Sequence, residues 1–421
     1  MLFRSTQAVP QRKKKFPLFL RASICLREKL YNLMNCRKQS AYQKAVDKYR
    51  SERAKQIEAF QEKYRNFVKP EVQTKIINAS LAELAKMIRD QEVTSEEIVV
   101  TFCLRSAEIG TKYGYVASII FEEAVEEAKK KDEQVKNLKP GEELPPFHGI
   151  PISVKELIKI KGVKHFLGYA ARLDISSNDE DSAYVSVIRK LGGIPFVTTN
   201  VPQGLWGVVT QNNLWGLAKN PWNLERVSGG SSGGEGGLIA SRCSPVGIGT
   251  DAVGSVRIPA AWSGLASFRA TSKRASKIGR FGASGSDIDI FREVEAVLGP
   301  MCKSVDDVIY FMKGIYGHFG EFDLFSINYK FDENLYQEGL KTSGLNIAYL
   351  LESPKYQVHP AIKDAIETTV KALAEQGHNV FEVNIGEDFE ELCHAVMTAV
   401  FAVGPDAILN VNIKGERPMP E

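Results

Sequence analysis

The chain has 421 residues, enough for two or three domains of about 150 residues or for one large α/β enzyme. Hydrophobic residues make up 43% and charged residues 25%, with 34 Gly and 18 Pro, which excludes a collagen, a low-complexity disordered chain and a disulfide-rich miniprotein. The net charge of +3 conceals an asymmetry, because residues 1–40 carry ten Lys or Arg against one acid, Glu28, leaving that segment near +9 and the remainder near −6.

The basic head contains Phe16, Leu18, Phe19, Leu20, Ile24, Leu26 and Leu30. It suits an anionic membrane surface or an organelle presequence, and a solvated arm reads equally well. Its longest apolar run, Phe16 to Leu26, is broken by Arg21 and falls short of the roughly 18 apolar residues that cross a bilayer. Past residue 70 no basic face with interleaved aromatics appears, so no nucleic-acid partner is expected. The six cysteines (Cys25, Cys36, Cys103, Cys243, Cys302, Cys393) form no C-x-x-C pair, which points away from a zinc site and a disulfide framework and toward a reducing compartment.

From Ala41 to Val68, Tyr42, Val46, Tyr49, Ile57, Phe60, Tyr64 and Phe67 recur at helical spacing, predicting one long amphipathic helix ended by Pro70. Ser80-x-x-Glu83 and Thr94-x-x-Glu97 read as capping boxes that open two short helices, and a third is predicted near 121–137. Tyr115–Ile120 and Ile194–Thr198 read as buried strands. Further on, Ser304 caps a helix to about 316, Leu345–Leu350 reads as a strand, Pro360–Gln376 as a helix closed by Gly377, and Val380–Val383 as a strand. Alternation of this kind predicts a layered α/β domain with a largely buried sheet. The expected organisation is a basic arm over 1–40, the amphipathic helix over 41–70 and one domain over 71–421.

One segment departs from the pattern. Six of the nine residues from Gly229 to Gly237 are glycine, a composition expected to support no regular element. Apolar runs on both sides argue against a flexible linker, and neither the Walker nor the dinucleotide spacing is present. Gly229, Ser231 and Gly233 do satisfy G-x-S-x-G, which makes Ser231 a candidate nucleophile of an α/β-hydrolase. His318, His359, His378 and His394 follow downstream, and His378 is the best placed to serve as base. A second reading uses no histidine: a desolvated lysine loses its proton near working pH and activates serine directly. Lys155, within the apolar stretch HGIPISVKELIKIKG, suits that environment.

The segments HGIPISVKE, TNVPQ, NPW, GGSSGGEGGLIA, GTDAVGSVRIPAAWSG and LGPMCKSVDDV, in that order, resemble the amidase signature family over roughly residues 75–400. Glu235 and the NVPQ stretch make the chain similar to the fatty acid amide hydrolases within it. The resemblance implies a central mixed β-sheet covered by helices and a Ser-Ser-Lys triad: Ser255 as nucleophile, Ser231, with a cis peptide, as bridge, and Lys155 as base. It further implies an oxyanion hole from the N–H groups of Ala252, Val253, Gly254 and Ser255, and a substrate contact at Leu205. Asp251, Arg257 and Ser232 are expected to support the turn, and no metal or organic cofactor is implied. The implied substrates are amides of long-chain acids with small amines, met at an internal membrane, and homodimers occur in the family.

Two departures are expected to matter. The family usually shows Gly-Gly-Ser at the nucleophile where this chain has Val253-Gly254-Ser255; if Val253 takes positive φ, the turn is strained by roughly 1–3 kcal/mol. The chain also stops at Glu421, before the further strands and helical cap that the family carries, which predicts an uncovered sheet edge. Both motivate a rival expectation, a catalytically silent binding or regulatory protein.

Overall fold

The computed structural model describes residues 18–282, 295–352, 357–384 and 386–401. The first seventeen residues of the basic arm lie outside these. Helix α1 (Leu18–Tyr64) starts well before Ala41, where the sequence pattern becomes regular. Pro70 does not end it: after a turn at 65–69, Pro70 opens α2 (Pro70–Asn78), where a ring without an N–H suits the first turn. Both predicted capping boxes form, at the starts of α3 (Leu81–Arg89) and α4 (Ser95–Arg105), with each side-chain oxygen and each N3 glutamate reciprocally bonded. Helix α5 (Phe121–Lys136) follows β1 (Val116–Ile119).

The sheet has six strands. With β2 (Pro151–Lys155), β3 (Ile194–Thr199), β4 (Val246–Asp251), β5 (Ala266–Ser267) and β6 (Val297–Cys302), the order is β1–β3–β2–β4–β6–β5. β3, β2 and β4 run parallel, while β1, β6 and β5 pair antiparallel, so the sheet is mixed. β2, β3, β4 and β6 are buried at every position, as strands covered on both faces must be. Helix α6 (Ala183–Lys190) leads into β3, and α9 (Val305–Ile315), capped by Ser304 as expected, follows β6. Toward the C-terminus, β7 (Asn346–Tyr349) and β8 (Asn379–Glu382) make a separate parallel pair connected through α11 (Pro360–Glu375), which packs on β8; α10 (Glu333–Lys341) precedes the pair in sequence and α12 (Gly386–Phe401) follows it.

The glycine-rich run overturns the expectation that it supports no regular element: Gly233–Ala240 is a helix, α7. Its glycines make close approach possible. A Cβ on Gly234 would sit 2.4 Å from the Asn200 nitrogen and 2.5 Å from its carbonyl oxygen, and one on Gly237 would lie 2.1 Å from the Tyr115 ring. Packing against the sheet thus repays the weak intrinsic helix propensity.

Helix α1 is part of the core. Val46 packs with Phe166, Ala170 and Leu214, joined by Tyr49 and Trp215, and the Phe60 ring lies tilted against Phe121, 5.0 Å between centroids. Arg50 donates to the carbonyls of Leu214 and Asn213, and Arg53 donates to that of Ala117 while lying 4.5 Å over the Trp215 ring.

Candidate active site

Lys155 ends β2 and is completely buried. Its Nζ lies 2.7 Å from Ser231 Oγ, 3.0 Å from Thr250 Oγ1 and 3.5 Å from the Thr250 carbonyl oxygen. Burial pulls its pKa down to about 7, a shift opposed by the negative field of Asp251 and by any charge carried on Glu235, and assisted by Arg280. A lysine in this state is a base near neutral pH.

Ser231 follows a cis peptide from Gly230, as the resemblance implies. The approach to it requires glycine. Gly229 has φ 95° and a Cβ there would lie 2.8 Å from Pro259 Cα; a Cβ on Gly230 would lie 2.8 Å from the Gly207 carbonyl oxygen. Ser232, directly before α7, donates its N–H to the Ser255 carbonyl at 3.1 Å and its hydroxyl to the Thr250 carbonyl at 3.4 Å. That bond ties the Ser255 turn to the segment bearing Ser231.

The turn from Ala252 to Val256 is organised by Asp251. This fully buried carboxylate accepts N–H bonds from Gly254 (2.8 Å), Val256 (3.1 Å) and Arg257 (3.3 Å), and a two-pronged contact from the Arg257 guanidinium at 3.0 and 2.9 Å. Burial alone would raise its pKa; hydrogen bonds from Arg257, Val256 and Gly254 outweigh that and hold it below the usual aspartate range. The turn leads into α8 (Arg257–Ser263).

This geometry corrects two expectations. The Gly254 N–H is engaged by Asp251, so it is not a free oxyanion donor, whereas no partner is found among the described residues for the N–H groups of Ala252, Val253 and Ser255. Val253 carries no positive φ. The left-handed conformation falls one residue later, on Gly254 at 129°, so a β-branched side chain at 253 is unstrained and simply half-exposed. Leu205 adopts φ 67° after Gly204 at 69°, in a short 3-10 turn (Gln203–Leu205) whose Gly204 N–H donates to the Leu167 carbonyl, and its side chain packs partly on the core.

Ser231 is partnered by Lys155 and not by a histidine. His378 sits before β8, where its Nδ1 accepts the Leu345 N–H at 3.3 Å. The structure therefore gives no support to the histidine-dependent reading of G-x-S-x-G.

Sequence reasoning passed over three neighbours of the lysine. Thr250 supplies two of its contacts; Ser153 stands two residues before it on the same strand face; and Glu235, noted only as a mark of resemblance, meets Ser153 and Thr199 in the core. The i, i+2 parity of β2, which puts Ser153 on the face of Lys155, was the available signal.

The family model described as Amidase matches residues 97–414. The chain belongs to the amidase family. It is 33% identical to an acetamidase of Emericella nidulans over 81% of this chain and 64% of that one, and 31% identical to the vitamin D3 hydroxylase-associated protein of Gallus gallus over 72% and 62%. This amidase-family chain thus spans less than two thirds of the length of these relatives. Among solved structures, a fatty acid amide hydrolase superposes with a TM-score of 0.77 at 28% identity, over 89% of this chain and 68% of that one. The mixed sheet and its helices are those of the amidase-signature fold. No described helix is long and apolar enough to cross a membrane.

Proposed function

We propose that this chain is a serine amidase acting on lipid amides, with Ser255 as nucleophile, Ser231 as relay and Lys155 as base. The observation that carries the proposal is the buried Lys155 Nζ, 2.7 Å from Ser231 Oγ. Neutral Lys155 takes the Ser231 proton as Ser231 takes that of Ser255, and the Ser255 oxygen bonds to the amide carbonyl carbon. The N–H groups of Ala252, Val253 and Ser255 face the developing oxyanion, fixed dipoles that need no reorganisation. The relay then returns the proton to the departing amine as the C–N bond breaks, and water releases the acid from Ser255 by the same route.

Three exposed valines support a lipid substrate: Val208, whose backbone abuts Gly230; its neighbour Val209; and Val253, on the nucleophile turn. The structural likeness to a fatty acid amide hydrolase points the same way. Contact with a membrane surface and pairing of two copies belong to this proposal as accompaniments of such a substrate.

The test is labelling of the purified chain with a fluorophosphonate, followed by peptide mapping. Labelling at Ser255, abolished by Ser255→Ala and by Lys155→Ala, is expected. Labelling at Ser231, or labelling that Lys155→Ala leaves intact, would overturn the assignment. Absence of labelling in the folded protein would favour a silent binding protein.

A further inference from the structure

Glu235 is fully buried on the first turn of α7, and its two oxygens meet hydroxyls of two adjacent strands. Oε1 accepts from Thr199 Oγ1 on β3 at 2.9 Å, and Oε2 lies 2.5 Å from Ser153 Oγ on β2. The slot is shaped for a carboxyl group, because a Cβ on Gly247 of β4 would stand 1.9 Å from Oε2 and 2.5 Å from Ser153 Oγ. Ser153 and Lys155 share one face of β2, so the carboxyl group occupies the same side of the sheet as the amine.

Hydrogen-bond accounting discriminates between the two forms of this group. Ser153 has one hydroxyl proton and a second acceptor, the Val246 carbonyl, at 3.3 Å. A protonated Glu235 donates from Oε2 to Ser153, Ser153 donates to Val246, and Thr199 donates to Oε1, so every polar group is satisfied with no buried charge. An ionised Glu235 would set a buried anion on two neutral hydroxyls and would favour the ammonium form of Lys155.

We propose that Glu235 is a positioning residue that works as a neutral carboxylic acid, bracing β2 and β3 beneath the catalytic pair and leaving Lys155 free to lose its proton. This rests on the reading of Lys155 as the base. The charged groups around the pair are consistent with it. From β2, Lys155 acts on Glu235; β3 presents Thr199; Asp251, at the end of β4, is bound to Arg257 of α8 and faces Arg269; and Arg280 acts on Lys155 from the loop after β5. Burial pushes Glu235 up to about 8, against the pull of Ser153, Thr199 and Lys155.

The full chain provides two independent readouts. The infrared difference between wild type and Glu235→Gln at pH 7 should contain the carbonyl stretch of a protonated carboxyl group, fading as pH rises past about 8. A difference containing only carboxylate bands would overturn the proposal, whatever the outcome at Lys155. The second readout is the pH dependence of fluorophosphonate labelling. Removing an adjacent negative charge would move its rising limb down by more than about one unit, while replacing a neutral acid should move it by less than about half a unit. Glu235→Gln, which keeps a donor toward Ser153 and an acceptor for Thr199, should lose less labelling rate than Glu235→Ala. Equal loss in both variants, or the larger limb shift, would refute the assignment. Undiminished labelling of Lys155→Ala would instead remove the base reading and leave the infrared result standing.

Discussion

Replacing Asp251 tests whether the turn from Ala252 to Val256 is held by backbone donors or by a surface ion pair. In Asp251→Ala three N–H groups, of Gly254, Val256 and Arg257, lose a charged acceptor. At about 1.5–3 kcal/mol for each bond to a charged acceptor, the expected loss of stability is about 4.5–9 kcal/mol. The guanidinium adds little, because the Arg257 side chain is 55% exposed and returns to water when its partner goes, a contribution of at most about 1 kcal/mol. Arg257→Ala should therefore cost less than about 1 kcal/mol, and Asp251→Asn, which retains one acceptor oxygen, should fall between the two. Urea unfolding of the three variants against wild type, at pH 7, reads these differences. The pH dependence has a defined sign. A carboxyl held below its ordinary value contributes stability that is fully present above the unfolded pKa near 4 and is lost as pH falls through the folded value, so wild type and Asp251→Ala should converge in acid. Equal losses in Arg257→Ala and Asp251→Ala would refute the backbone argument, as would a loss under about 1 kcal/mol in Asp251→Ala.

The fluorophosphonate labelling rate should rise with pH through about 7, where buried Lys155 gives up its proton, and a flat profile from pH 5 to 9 would count against the lysine as base. Gly234→Ala should fail to fold or lose several kcal/mol, because its methyl group meets Asn200 backbone atoms that cannot retreat; circular dichroism and melting decide this, and a wild-type melt would contradict the packing described for α7. Glu156, buried beside Lys155, accepts the Phe166 N–H at 3.0 Å, and burial pushes it up to about 7 against backbone donors at 166–168 and Arg172. Its contribution to stability is present below the unfolded pKa and is lost as pH rises through about 7, so Glu156→Gln should flatten the decline between about pH 5 and 7 in urea titrations; an unchanged slope would assign the decline elsewhere.

The helices were the most legible part of the sequence, since capping chemistry is local: Ser80 with Glu83 and Thr94 with Glu97 reveal themselves within four residues. Strands β4 and β6 escaped notice because glycines interrupt their apolar pattern, and those glycines answer to distant partners. Gly249 leaves room for Ser232, Gly247 for Glu235, and Gly299 for the Phe268 carbonyl, which a Cβ would approach to 1.9 Å. For the same reason α7 read as irregular, its propensity being overridden by Asn200 and Tyr115 from elsewhere in the chain. Lys155, Ser231 and Ser255 came from their company in sequence, and the structure brings the lysine to Ser231. What sequence withheld was the allocation of single hydrogen bonds, above all the Gly254 N–H taken by Asp251.

Helix α1 bears on how this protein responds to being cut. Its side chains reach the segments at 117, 166–170 and 213–215, while Phe60 and Tyr64 join the main core through Phe121. A protease that nicks the turn at 65–69 would sever one covalent bond and leave all of these contacts in place, so the two pieces should travel together until denatured. A shortened chain beginning at Pro70 would instead uncover Phe166, Leu214 and Trp215 in one patch, and should be rescued by adding the 41–64 segment back as a separate peptide.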